Sequence, residues 1–328
     1  MYSKLYPYYY IFMRPSISVA NFHNIRYNRP KFTECEVDTM LTKEDLLEKL
    51  SAGFLLLDGA TGSNLQKAGM PKGCCTEEWV LNHPDALMDL QRRYAGAGSN
   101  IIYAPTFQAQ PMALERVGLA DRCEEVNARL VELSRSAAPG CLIAGDLTTL
   151  ATFCDSWDEE NFDLLVENYS RQIRGLIDGG ADLLIGETLM YPQEAEAILT
   201  AAELEGATCA MYSFTMQSDG SLFSGRDVGP VLQELEESGA AAVGFNCVSA
   251  DMMTPHLVSK LRRYVKGPLI CKPNAGVPVI GPDGIPAYPQ SPEEFAAIVK
   301  ACHGNGANLL GGCCGTAPEF IEAVKKAL

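Results

Sequence analysis

The stretch DLLIGETLMYPQEAEAILTAAELEGATCAMYSFT, residues 182–215, holds two apolar runs on either side of an amphipathic segment. Neither DLLIGET (182–188) nor TCAMYSFT (208–215) alternates apolar with polar residues. That is how strands buried on both faces read, and such strands are usually parallel. Between them PQEAEAILTAAELEG reads as a helix. The same unit recurs along the chain. Its other runs are FLLLDGA (54–60), NIIYAPT (100–106), LIAGDLT (142–148), AAVGFNC (241–247), PLICKPNAG (268–276) and NLLGGCC (308–314). Amphipathic stretches fill the gaps; PDALMDLQRRYAGAG, for example, sets Leu87, Leu90 and Tyr94 on one side, and DRCEEVNARLVELSRSA does so with Val126, Leu130 and Leu133. Eight strand–helix pairs over this length predict one α/β domain, a TIM (β/α)8 barrel. A doubly wound open sheet would have to be unusually wide to use all eight strands.

A barrel makes a geometric prediction. Chemistry gathers at the rim where the strands end. The polar residues closing the runs are Asp58, Thr106, Asp146, Glu187, Asn246, Cys247, Asn274, Cys313 and Cys314. They are far apart in sequence and are expected around one mouth.

The totals narrow the class. A chain of 328 residues with 47% apolar and 20% charged residues suits a soluble globular enzyme and argues against global disorder. The net charge of −15 has no compensating basic stripe, so neither nucleic acid nor an anionic membrane is expected as a partner. Twelve cysteines in a chain this long, without a convincing secretory signal, are not a small disulfide scaffold. Most sit in apolar segments as reduced core residues, and a cytoplasmic location is the expectation. Residues 1–39 are tyrosine-rich, lack a period and contain no apolar run long enough to span a membrane. They are expected to be a disordered extension, with the barrel domain over 40–328. Just past Met40, Thr42 is placed to cap a helix and Asp45 to complete its first turn.

Cys247 ends the sixth run, and Cys313 and Cys314 end the eighth. One strand lies between, and neighbouring strands are ~4.8 Å apart, so the three thiols can meet. Adjacent residues of a regular strand point to opposite faces. Cys313 and Cys314 converge only if the chain bends, which Gly311, Gly312 and Gly315 permit. Three sulfurs suit zinc, and three protein ligands leave the fourth position open, as in catalytic sites. Buried cysteine is also a common core filler, and spacing alone leaves both readings standing. Cys271 would supply a fourth thiol if it turned inward. Cys74 and Cys75 have no glycine-framed partner and are expected to be structural or lid residues; His83 and His303 are expected to be caps or surface residues, and GNGAN (304–308) lacks the lysine of a phosphate loop.

DGATGSNLQKAG (58–69), GET (186–188), GFNC (244–247) and GGCCGT (311–316) resemble the motifs of the homocysteine S-methyltransferase family. The similarity is strongest to the homocysteine-binding barrel of its cobalamin-dependent methionine synthases and covers about residues 45–328. YAPTFQAQPMALERVG (103–118) resembles that group too, although Ala104 and Pro105 stand where an N-T-F sequence is common. The resemblance implies a TIM barrel, zinc held by Cys247, Cys313 and Cys314, and methyl transfer to the zinc-bound thiolate of homocysteine to give methionine. It implies that Asp58 and Glu187 line the homocysteine pocket, where either carboxylate suits the substrate ammonium. Backbone N–H groups of Gly59, Ala60 and Thr61 are candidates for its carboxylate, and Asn246 is expected to support the loop. No histidine sits in a corrinoid-binding D-x-H-x-x-G context. The methyl donor is therefore expected from outside: a separate methylcobalamin protein, or a small onium compound such as S-methylmethionine, S-adenosylmethionine or betaine. The alternative is a thiol-binding zinc-thiolate subunit of a multi-component methyltransferase with little turnover alone.

Overall fold

The computed structural model describes residues 40–153, 156–217, 219–280 and 286–328. The extension expected over 1–39 lies outside them. Ten strands occur in chain order: β1 (Leu55–Leu56), β2 (Ile101–Tyr103), β3 (Leu142–Thr148), β4 (Leu183–Leu189), β5 (Ala210–Phe214), β6 (Ala242–Ser249), β7 (Leu269–Asn274), β8 (Val279–Ile280), β9 (Pro286–Ala287) and β10 (Leu309–Leu310). Eight of them form one sheet in the order β1-β10-β7-β6-β5-β4-β3-β2, every pairing parallel. A further parallel bridge, Leu57 to Ile101, joins the two ends, so the sheet curls into the predicted TIM barrel. The short antiparallel pair β8–β9 is an insertion after β7 that the run pattern does not anticipate.

Alternation along each strand sorts the side chains. Leu57, Ile101, Ala144, Leu183, Ile185, Met211, Ala242, Ile270 and Leu309 share the core inside the barrel. Ile102, Leu184, Val243, Phe245, Leu269 and Cys271 face the surrounding helices. Helix α1 (Lys43–Leu50) starts on the expected capping box of Thr42 and Asp45. Its Leu46 and Leu50 join the inner core, and Leu41 is hydrogen-bonded to Asp182 and Thr208, just before β4 and β5. The helix thus stoppers the amino-terminal end of the barrel, and polar chemistry is left to the other end. Among the described residues no helix is long and apolar enough to cross a membrane.

Candidate metal centre and barrel mouth

Asn246 continues the inward-facing register of β6, so a regular strand would turn Cys247 out towards the helices. It does not, because the pairing with β7 slips between Asn246 and Ser249 and Cys247 adopts φ +57°. Left-handed backbone at a non-glycine residue costs about 1–3 kcal/mol and gathers at functional sites; a bulge is the usual device for re-aiming one side chain. On the other side, Cys313 and Cys314 lie just past β10. Their turn is fixed by Cys313 N–H to Pro273 O (2.7 Å), Ala275 N–H to Cys314 O (3.0 Å) and the Thr316 hydroxyl to Cys313 O (2.7 Å). The glycines divide the labour differently from the expectation. Only Gly315 uses the left-handed region, at φ +82°. Gly311 is demanded by closeness, since a Cβ there would lie 2.7 Å from Leu57 Cβ and 2.8 Å from Asp58 O.

The three sulfurs lie within 4.8 Å of one another, and Cys247 Sγ is 3.7 Å from Cys314 Sγ. A disulfide would need about 2.05 Å. Two sulfurs on one tetrahedral ion, each at about 2.3 Å, stand ~3.8 Å apart. The donor set therefore fits a thiophilic ion without rearrangement of the pair. Hydrogen bonds from Cys247, then Cys313, pull the Cys314 thiol down to about 3, with help from the Tyr288 hydroxyl. Hydrogen bonds with Cys313, then with Cys314, together with burial, hold Cys247 well above the ordinary thiol range. One thiolate is thus already favoured in the trio. Cys271 is no fourth ligand: it is buried on the helix side, hydrogen-bonded with Cys302.

Beside the thiols sits a buried cluster of charges. Asp58, Asp146 and Glu187, from the ends of β1, β3 and β4, are all at least nine-tenths buried. Asp58 Oδ2 accepts from Tyr103 N–H (2.9 Å), while Asp58 Oδ1 and Asp146 Oδ1 have no hydrogen-bond partner. Burial pushes Asp58 up to about 6 and Glu187 to about 7, opposed in both by Lys272. Lys272 reaches in from β7, with Nζ 3.5 Å from Asp58 Oδ1, 3.6 Å from Glu187 Oε2 and 4.4 Å from the centre of the Tyr103 ring. Asn246 knits this cluster to the thiols. Its Nδ2 donates to Thr188 Oγ1 (2.7 Å), Glu187 Oε2 (3.4 Å) and Cys313 Sγ (3.8 Å), and its Oδ1 accepts from Thr188 N–H and Ser213 Oγ. These bonds brace Thr188, a second non-glycine residue at positive φ (+59°), beside the slip in β4 that presents Glu187.

The Gly59–Ala60–Thr61 turn leads into a short helix α2 (Gly62–Lys67). Ala60 N–H is already committed to Thr316 Oγ1 (3.2 Å), so it is not free for an anion as the sequence suggests. Gly59 lies against the Tyr94 hydroxyl, and Thr61 makes no side-chain cap. Cys75 donates to Glu77, and His83 stacks on Trp79, both apart from the thiol trio. Lys272 and Tyr288 escape the sequence reading. A signal for Lys272 exists: it is the one charge inside PLICKPNAG and shares the parity of Asn274.

The family model for homocysteine S-methyltransferase matches residues 55–328. Methionine synthase of Mycobacterium leprae is 27% identical over 308 residues, covering 87% of this chain and 25% of that protein. The Mycobacterium tuberculosis methionine synthase is 27% identical over 310 residues, covering 89% and 26%. The chain thus spans about a quarter of the length of these curated relatives. The metallated form of the homocysteine methyltransferase MmuM from Escherichia coli is 25% identical, with a TM-score of 0.73, covering 86% of this chain and 98% of that one.

Proposed function

The chain belongs to the homocysteine S-methyltransferase family, and on that premise we propose that it is a zinc-dependent methyltransferase converting homocysteine to methionine. The observation that carries this reading is the meeting of Cys247, Cys313 and Cys314 within 4.8 Å beside a buried carboxylate cluster. These three residues would hold the zinc. An ordinary thiol, with a pKa near ~8.5, is mostly protonated at neutral pH, and zinc in a three-thiolate site supplies the Lewis acidity that makes a substrate thiol a thiolate.

The chain's own residues orient the amino acid. The buried carboxylates of Asp58 and Glu187 receive the substrate ammonium. Gly59 and Thr61 offer the remaining backbone N–H groups of the turn to the substrate carboxylate. Asn246 holds Glu187 and Cys313 in fixed relation, so the distance between ammonium and sulfur is set by the barrel rather than by the ligand. The ten described cysteines are free thiols, which suits a reducing compartment such as the cytoplasm.

For the donor we favour a separate methylcobalamin protein. The loops next to the thiols carry Met252 (83% exposed), Met253 (66%), Val279 (61%) and Ile280 (53%). They are tied to the site, because Ala250 N–H bonds Asn274 O and Ala275 N–H bonds Cys314 O. Exposed apolar patches mark protein contacts among other interaction sites, and the mycobacterial relatives are methionine synthases more than three times as long. A donor panel checks this. The zinc-loaded protein with homocysteine is expected to form methionine from methylcobalamin, faster when the corrinoid is protein-bound, and not from S-methylmethionine, S-adenosylmethionine or betaine. Turnover with an onium donor would contradict the donor assignment. Thiol binding without turnover on any donor would favour the subunit reading.

A further inference from the structure

We propose that Lys272 is a positioning residue whose ammonium, set between Asp58 and Glu187 on the floor of the mouth, holds the two carboxylates at the spacing that admits a substrate ammonium. This rests on the homocysteine reading above and adds to it a residue outside the motifs that carry the family resemblance.

Lys272 is only 3% exposed, and a lone buried lysine is costly. Burial alone would lower its pKa, but Glu187 and then Asp58 hold it well above the ordinary range. It is therefore a fixed cation. Two buried carboxylates flank it, Asp58 and Glu187, while burial and then Glu187 push the third, Asp146, well above the ordinary carboxylate range, so one lysine faces two acidic groups. It does not saturate them. Its two carboxylate contacts, at 3.5 and 3.6 Å, are longer than charge-assisted hydrogen bonds, which run about 2.7–2.9 Å. The Tyr103 ring, its centre 4.4 Å from Nζ, adds a cation–π contact from a third side. What remains is a buried acidic site in which Asp58 Oδ1 has only the long Lys272 contact and Asp146 Oδ1 has no hydrogen bond. Such a site accepts a second, multiply donating cation. Without Lys272, two buried carboxylates that now flank one ammonium would repel each other, and one would take up a proton. A protonated carboxyl donates rather than accepts, and it loses most of its attraction for an ammonium.

A purely structural ion pair would give stability and nothing else, so the test must read selectivity. Calorimetric titration of zinc-loaded, full-length protein with homocysteine and with 4-mercaptobutanoate, the same thiol lacking the ammonium, yields a ratio of dissociation constants. Lys272→Met is expected to keep its zinc and its affinity for 4-mercaptobutanoate while the ratio falls by about tenfold or more. Lys272→Arg, which restores a cation, is expected to recover much of it. An unchanged ratio in the methionine variant overturns the proposal. Should that variant fail to fold or hold zinc, Lys272→Arg decides: a retained preference for homocysteine supports the role, and complete loss of preference with zinc intact overturns it. If the native protein binds neither thiol, the homocysteine reading itself has failed, a result the wild-type arm separates from a failure of Lys272 alone.

Discussion

Cys313→Ser protein, incubated with equimolar zinc and desalted, is expected to retain less than about a tenth of an equivalent and to lose about a thousandfold or more in methionine formation. The substitution is close to isosteric, and the turn around it is held by backbone and by Thr316 rather than by the sulfur. The fold should therefore survive, as circular dichroism would show. What changes is the donor: a serine hydroxyl does not ionise near neutral pH, so the site loses one of its three anionic ligands and its softness together. Cys313 is also the sulfur bound to Asn246, so it joins the metal centre to the carboxylate cluster. Full zinc retention in this variant would mean that the ion sits elsewhere.

The second large effect belongs to Asp58. Asp58→Asn is expected to raise the KM for homocysteine by about 10–100-fold, the worth of one charge-assisted hydrogen bond of about 1.5–3 kcal/mol. It should also change how stability depends on pH. Burial raises Asp58 to about 6 in the folded protein, against ~3.9 in an unfolded chain. The folded state then binds the proton more tightly, so stability is greatest below the unfolded pKa and is lost as pH rises through the folded one. From pH ~4 to ~7 Asp58 alone accounts for a loss of about 2 kcal/mol. Urea midpoints of metal-free protein across that window should fall with rising pH, and those of Asp58→Asn should fall less, leaving the share of Glu187, raised in the same sense to about 7. Equal slopes in the two proteins would contradict the charge arrangement described for the mouth.

How much of this was legible in the sequence follows from the physics of strands. Runs buried on both faces announce themselves, and β3 coincides with LIAGDLT. The order of the barrel and the polar closing residues follow from there. The eighth run was harder, because only Leu309 and Leu310 pair as a strand and the chain leaves the sheet at Gly311. Departures from alternation were invisible: nothing in GFNC or GET states that Cys247 and Thr188 adopt positive φ, since Cys247 lies in the slip of β6 against β7 and Thr188 is braced by tertiary bonds from Asn246. Cys271 illustrates the converse, for plain alternation sends it to the helices. Lys272 was hidden by its apolar neighbours, and the loss of Ala60 N–H depends on Thr316, 256 residues away. Local pattern carried the scaffold and the ligand types; long-range contacts carried the aim of each side chain.

The central claim is that three sulfurs from two strand ends share one ion and leave a position for a fourth. Zinc K-edge X-ray absorption on the loaded protein tests it directly. Three sulfur scatterers at about 2.3 Å are predicted for the free protein, rising to four when homocysteine is added. A shell dominated by nitrogen or oxygen, or one unchanged by homocysteine, would contradict it.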